Sequence, residues 1–275
     1  MSPARLAATA LLLLAVPVAP AARAENPVVR FTTTLGAFDV ELCDEASVLC
    51  FGAAPGTVAN FLGYVDRNAY ADSIIHRSVP GFVIQGGSFN LVEGPLVTSL
   101  VTDPAVLNEF NQPNRRGTLS VPLLGDGPTP CHTQEDSGTS GWFVNLVNNA
   151  PSLDCGLFTV FGVVMGDGMA GVGAIAGLPL LEYFDAGPPP TAPQFLLPLF
   201  EPQNLITAFS TVPVTQEFFD LATAEEGPLL TLDDVANGFI LANIARVPEP
   251  GAGAAGLVAA LSLAALARRR ARPAR

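Results

Sequence analysis

Glycine and proline interrupt this chain so regularly that the apolar residues between 28 and 247 fall into short runs. The 26 Gly and 25 Pro leave little room for long helices, yet an apolar fraction of 49% is enough to fill a core. Such punctuation favours a β-rich domain. Residues 28–42, VVRFTTTLGAFDVEL, are the clearest case. Phe38, Val40 and Leu42 alternate with Asp39 and Glu41 after Leu35-Gly36, as expected for a half-buried hairpin. Further strands are expected at 73–89, around a Val79-Pro80-Gly81 turn, at 117–124, at 142–147, in LFTVFGVVMG and at 239–247. Two helices interrupt them. In PGTVANFLGYVDRNAY, Val58, Phe61, Leu62 and Val65 share one helical face, with Thr57 a candidate N-cap. MAGVGAIAGL is the second helix, and residues 178–208 read as Pro-rich and irregular. No repeat or linker divides residues 25–247, which read as one domain.

The two ends have a different character. Residues 1–24, MSPARLAATALLLLAVPVAPAARA, carry Arg5, an apolar run from Leu6 to Val18 and the small-x-small site Ala22-Arg23-Ala24. This is the pattern of a secretory signal peptide cut before Glu25. At the other end, 251–267 is a charge-free run at the short limit of a membrane span. Arg268, Arg269, Arg270, Arg272 and Arg275 follow it, and retained positive charge would leave the body outside the inner membrane. Val247-Pro248-Glu249-Pro250, a short apolar helix and an Arg cluster resemble the PEP-CTERM sorting signal, here 248–275. That resemblance implies an exosortase-type processing enzyme as a partner. It also implies transient anchoring in the inner membrane through a C-terminal membrane helix, then delivery to the periplasm, cell surface or extracellular matrix. A plain C-terminal anchor is the alternative.

Charge and cysteine usage fit an exported protein. The formal net charge is −12, no Lys occurs, and seven of the 13 Arg lie in the two end segments. The acidic body repels phosphate backbones, which argues against nucleic acid as a partner. Cys43, Cys50, Cys131 and Cys155 are an even set, as disulfides require, and allow three pairings. Cys43–Cys50 would close a short local loop and is the first choice, with Cys131–Cys155 following from it. Zinc is the rival, but no CxxC occurs and only His76 and His132 could assist. No metal or other cofactor is expected.

Seven blocks occur in an order that resembles a bacterial-type cyclophilin, a peptidyl-prolyl cis–trans isomerase. They are TTLGAFDVEL, PGTVANFLGYV, IIHRSVPGFVIQGGSF, NEFNQPNRRGTLSV, TSGWFVNLVNN, LDCGLFTVFGVV and STVPV. HRSVPGFVIQGG is the most specific. The resemblance implies a mainly β fold: a closed eight-stranded antiparallel barrel capped by two helices, near Thr57–Arg67 and Met169–Leu178. A peptide groove would lie on the outer face of the barrel.

The reaction explains the residue types. Rotation about an X–Pro bond must break amide resonance, a barrier of roughly 18–20 kcal/mol, and needs no nucleophile or metal. A catalyst needs an apolar seat for the proline ring and a fixed donor aimed at the amide as it twists. By the resemblance, Arg77 is that donor, and Gln85 contacts the substrate backbone and helps to hold Arg77. Phe82, Val83, Phe143 and Leu153 line the proline pocket, with Phe158 at its rim. Val121 and Pro122 lie on the strand that offers backbone contacts to proline-containing peptides. His76 is read as structural.

Three departures bear on efficiency. Gly141 stands where the family usually has Gln. Ser152 stands where a bulky aromatic is common, so cyclosporin-type ligands should bind poorly. Residues 123–141 form a long loop bordering the groove. These features leave an alternative reading, a catalytically weak proline-binding or matrix/adhesion module with the same fold.

Overall fold

The computed structural model describes residues 25–92, 96–125, 131, 133–181, 211–223, 234 and 237–248. The expected signal peptide, nearly all of the sorting tail, His132 and most of the Pro-rich stretch lie outside them. In chain order the elements begin with β1 (Val28–Thr33), β2 (Gly36–Leu42) and α1 (Pro55–Asp66). Then come β3 (Ser73–Ile74), β4 (Arg77–Val79), β5 (Val83–Gly86), β6 (Phe89–Val92) and β7 (Leu96–Ser99). β8 (Thr118–Ser120), β9 (Leu124–Gly125), β10 (Thr133–Gln134) and β11 (Trp142–Asn145) precede α2 (Ala150–Leu153). β12 (Val160–Val164), α3 (Gly168–Ala176), β13 (Leu180–Leu181), β14 (Val212–Pro213), α4 (Gln216–Thr223) and β15 (Leu241–Arg246) complete the described chain.

Eleven of these strands form one curled antiparallel sheet in the order β4-β5-β11-β8-β12-β2-β1-β15-β3-β6-β7. The expected hairpin is its middle, with Phe31 opposite Phe38 and Val29 opposite Val40. Its two ends are tied by sequence. Only Ile75 and His76 separate β3 from β4, and only Gly87 and Ser88 separate β5 from β6. Residues 73–90 therefore form one bent hairpin, with Arg77 opposite Gln85 and Ser73 opposite Asn90. One half of it pairs with β11 and the other with β15.

The main core fills the concave side. Phe31 stacks on Phe38 at 4.9 Å and meets Trp142 edge-on at 5.1 Å. Helix α1 buries Val58, Phe61, Leu62 and Val65 as its periodicity predicts, and α3 adds Val172 and Ile175. The start of α1 differs from expectation. The helix begins at Pro55, and its free N–H groups are satisfied by Glu109, far along the chain, not by Thr57 as the cap. The Glu109 carboxylate accepts from the backbone N–H of Gly56 at 3.0 Å and of Thr57 at 2.7 Å, and from the Thr57 hydroxyl at 2.8 Å. A carboxylate at a helix N-terminus also meets the positive end of the dipole, together worth about 1–2 kcal/mol. A second, smaller core holds Ile74, Phe89, Leu181, Val212, Phe218 and Phe239, joining β13, β14 and α4 to β3 and β6.

Both first-choice disulfides are formed, Cys43–Cys50 and Cys131–Cys155. No cluster suited to a metal ion occurs among the described residues. No helix among them is long and apolar enough to cross a membrane.

Candidate functional site

Strand parity builds the site. Arg77 on β4 lies opposite Gln85 on β5, and Gln85 lies opposite Phe143 on β11. Directly opposed residues share a sheet face, so these three form one row across three strands. The next row, Ser78, Ile84 and Val144, faces the core and is fully buried. The β4–β5 turn is made by Pro80 and Gly81, whose φ of +73° suits glycine, and the Phe82 N–H donates to Val79 O at 2.9 Å.

Around this row lies an open cavity of about 240 Å³, lined by Arg77, Phe82, Val83, Gln85, Pro122, Leu123, Phe143, Leu153 and Phe158. Val83, Phe143 and Leu153 form its buried floor, with Phe82 and Phe158 against them. Phe158 meets Phe143 edge-on at 5.9 Å. The sequence expectation included eight of these nine residues and missed Leu123, which follows Pro122. It also included Val121, which the cavity excludes. The Val121 side chain lies in the main core, and its N–H is committed to Thr159 O at 3.0 Å.

Arg77 is half-buried, and that burial draws its pKa below the ordinary value. The guanidinium nonetheless stays charged at physiological pH, because its intrinsic pKa is so high. Arg30, Arg67 and Arg246 each pair with an aspartate, Asp39, Asp103 and Asp66. Arg77 has no carboxylate partner among the described residues; Nη1 donates to Gln85 Oε1 at 3.3 Å. A partly desolvated cation held by one neutral acceptor, above an apolar floor, keeps donors free for a carbonyl or amide nitrogen. His76, next in sequence, projects to the other side. It is buried, meets Phe89 edge-on at 4.9 Å, and has a pKa lowered by burial to about 3.

The supports behind the pocket were not legible in the sequence. Asn114 and Asn145 are fully buried and Asn149 nearly so. Asn149 Nδ2 donates to Phe82 O at 2.8 Å and to Asn145 Oδ1 at 2.8 Å. Asn114 Nδ2 donates to Phe158 O at 3.0 Å, while Asn114 Oδ1 accepts from the Ser120 hydroxyl at 2.7 Å. The network thus ties the main chain of two pocket walls, Phe82 and Phe158, to one buried amide cluster. The runs of Asn in NLVNN and NQPN were its only signal, and Asn in such runs is more often a turn residue.

Two glycine features gain a reason. A Cβ on Gly86 or Gly87 would sit 2.5 Å from the Trp142 ring, and Gly87 has φ +82°. The Gly-Gly pair is therefore the bed for Trp142, which underlies Phe143. At Gly141 a Cβ would lie 2.7 Å from Pro122 Cγ, so the Pro122 ring occupies the space of the side chain expected there. In the long 123–141 loop Leu124 pairs with Gln134, and Cys131–Cys155 ties the loop to the turn that follows Leu153. A larger depression of about 780 Å³ is lined by Glu25, Asn26, Glu41, Glu45 and Ser47 among others, with no cationic side chain among the described lining residues, and Glu41 there accepts from Asn26 and Ser47.

The chain is similar to known proteins over more than half of its length. The family model described as cyclophilin type peptidyl-prolyl cis-trans isomerase/CLD matches residues 28–191. Peptidyl-prolyl cis-trans isomerase A of Dickeya dadantii is 34% identical over 172 residues, covering 60% of this chain and 80% of that protein. Peptidyl-prolyl cis-trans isomerase B of Escherichia coli is 36% identical over 134 residues, covering 46% of this chain and 73% of that protein. A crystal structure of a Cryptosporidium parvum cyclophilin, in the presence of the dipeptide Ala-Pro, aligns with 81% of this chain and 99% of its own, at 18% identity and a TM-score of 0.47.

Proposed function

The chain belongs to the cyclophilin-type peptidyl-prolyl cis–trans isomerases, and from that premise we propose that Arg77 is the group that lowers the barrier. A proline ring of the substrate sits on Phe143, Val83 and Leu153, between Phe82 and Phe158. As the X–Pro bond twists, its nitrogen becomes pyramidal and gains a lone pair that the planar amide lacks. The Arg77 guanidinium donates to that lone pair, so it binds the transition state more tightly than either ground state. No bond forms or breaks and no proton is transferred. Gln85 holds Nη1 by its side-chain oxygen and offers its amide N–H groups to the substrate backbone. The observation that carries this reading is Arg77, without a carboxylate partner among the described residues, at the edge of an apolar seat.

The test is a protease-coupled isomerase assay on a proline tetrapeptide with wild type and Arg77→Ala. Loss of about 3–4 kcal/mol of transition-state stabilisation, the scale of a deleted electrostatic donor, is a 100- to 1,000-fold fall in kcat/KM. Equal activity in both proteins refutes the role of Arg77.

The same proposal places the enzyme outside the cytoplasm, acting on exported proteins. Residues 1–24 act as a signal peptide, and 248–275 as a sorting tail handled by an exosortase-type protease after transient insertion of 251–267 in the inner membrane. The composition of the two ends supports this, as do two disulfides, which persist in oxidising compartments. N-terminal sequencing of protein recovered from the native host should begin at Glu25; a retained Met1 refutes export by this route. Closure of the sheet into an eight-stranded barrel belongs to the same reading. Its support is the bent hairpin 73–90, which pairs on one side with β11 and on the other with β15.

A further inference from the structure

We propose that the cavity over Arg77 takes an X–Pro bond of this same chain, within residues 187–202, as a substrate in cis. The proposal rests on the isomerase reading of that cavity and adds which peptide is presented to it first. Residues 187–202 read GPPPTAPQFLLPLFEP, with six X–Pro bonds in sixteen residues. Both ends of the segment that contains them are fixed in the fold. At the β13–β14 pair, Leu181 lies opposite Val212 and Leu180 opposite Pro213. Beside it, the Ser78 N–H donates to Thr211 O at 2.8 Å. Ser78 follows Arg77 on β4, so Leu181 and Thr211, which bracket the segment in sequence, both lie at the flank of the strand that carries the proposed donor.

The distances favour capture. β14 lies on the free side of β4, away from β5, so the cavity above β4 and β5 is roughly two strand spacings, about 10 Å, from the anchor. Ala192–Pro193 lies near the centre of the tethered stretch, eleven residues after Leu181 and eighteen before Thr211. Eleven residues span at most about 36 Å, well over what is needed, and the second arm is longer. A ligand tethered this closely acts at an effective concentration in the millimolar range. The chemistry also matches. Phe195, Leu196 and Leu197 follow Pro193, and the cavity walls are Phe82, Leu123, Phe143, Leu153 and Phe158.

The experiment uses the full chain labelled with carbon-13 at proline, with the Pro193 signals assigned from a Pro193→Ala variant. Exchange spectroscopy then reads cis–trans interconversion at Ala192–Pro193. An uncatalysed bond takes tens to hundreds of seconds; capture in cis is expected to speed this on the order of 100-fold. The faster rate should be unchanged on dilution and lost in Arg77→Ala. A rate that falls on dilution overturns the proposal in favour of a second copy as substrate donor. Slow exchange in a chain that still turns over a free proline tetrapeptide overturns it while leaving the isomerase reading intact. Slow exchange together with no tetrapeptide turnover overturns both.

Discussion

His76 should set the acid stability of this protein between pH 6.5 and 5. Its imidazole is buried, and burial is the largest influence, lowering its pKa from 6.5 to about 3; a hydrogen bond with the Ile74 backbone opposes the shift and the Arg77 charge adds to it. The unfolded chain binds a proton at His76 near pH 6.5, whereas the folded chain does so only near pH 3. Between those values the unfolded state holds more protons, so acidification favours unfolding. The slope is about 1.4 kcal/mol per pH unit, giving a loss of about 2 kcal/mol at pH 5 and an upper bound near 5 kcal/mol at pH 3. The chain has only two His, and hydrogen bonds from Arg30 and Arg246 hold the carboxyls of Asp39 and Asp66 below the usual carboxylate range. Urea unfolding at pH 7, 6 and 5 measures the slope, and His76→Leu should flatten it. A ring carbon shift of His76 that titrates near pH 6 in the folded protein, or a wild-type stability constant down to pH 5, refutes the argument.

Other outcomes follow from the same contacts. Gly87→Ala combines a positive φ with a Cβ placed 2.5 Å from Trp142, and should destabilise by about 2–4 kcal/mol in thermal unfolding. Asn149→Ala removes the donor to Phe82 O; about 1–3 kcal/mol of stability should be lost, with a raised KM as the pocket wall loosens. Replacing Cys131 and Cys155 by Ser opens a link across 24 residues and should cost about 3 kcal/mol, read as a lower urea midpoint.

Local periodicity carried the hairpin at 28–42, the buried face of α1 and the facing of Arg77 and Gln85, because each is decided by residues within one turn or one strand pair. Strand parity also accounts for the Val121 side chain: it follows Ser120, which lies opposite Phe143, and so shares the core face of Leu119. Expectation and structure part where distant residues decide. Thr57 had the chemistry of a cap, but Glu109 supplies it from 52 residues away. The Asn114–Asn145–Asn149 network is of the same kind. Its members look like loop polarity one at a time, and their burial appears only when three segments meet.

The bent hairpin has a consequence for how the molecule is made. Its site half, β4 and β5, lies near the start of the domain, yet its other half is locked by β15, with Ile74 opposite Leu241 and the Ile75 N–H donating to Ile240 O. Contacts of such long sequence separation form late in folding, since the intervening chain must first lose its loop entropy. A chain whose residues 240–246 have not yet joined the sheet therefore lacks the contacts that fix this hairpin, and the pairing of Arg77 with Gln85 is held only locally. The geometry of the cavity is completed by the strand that is made after all the others described.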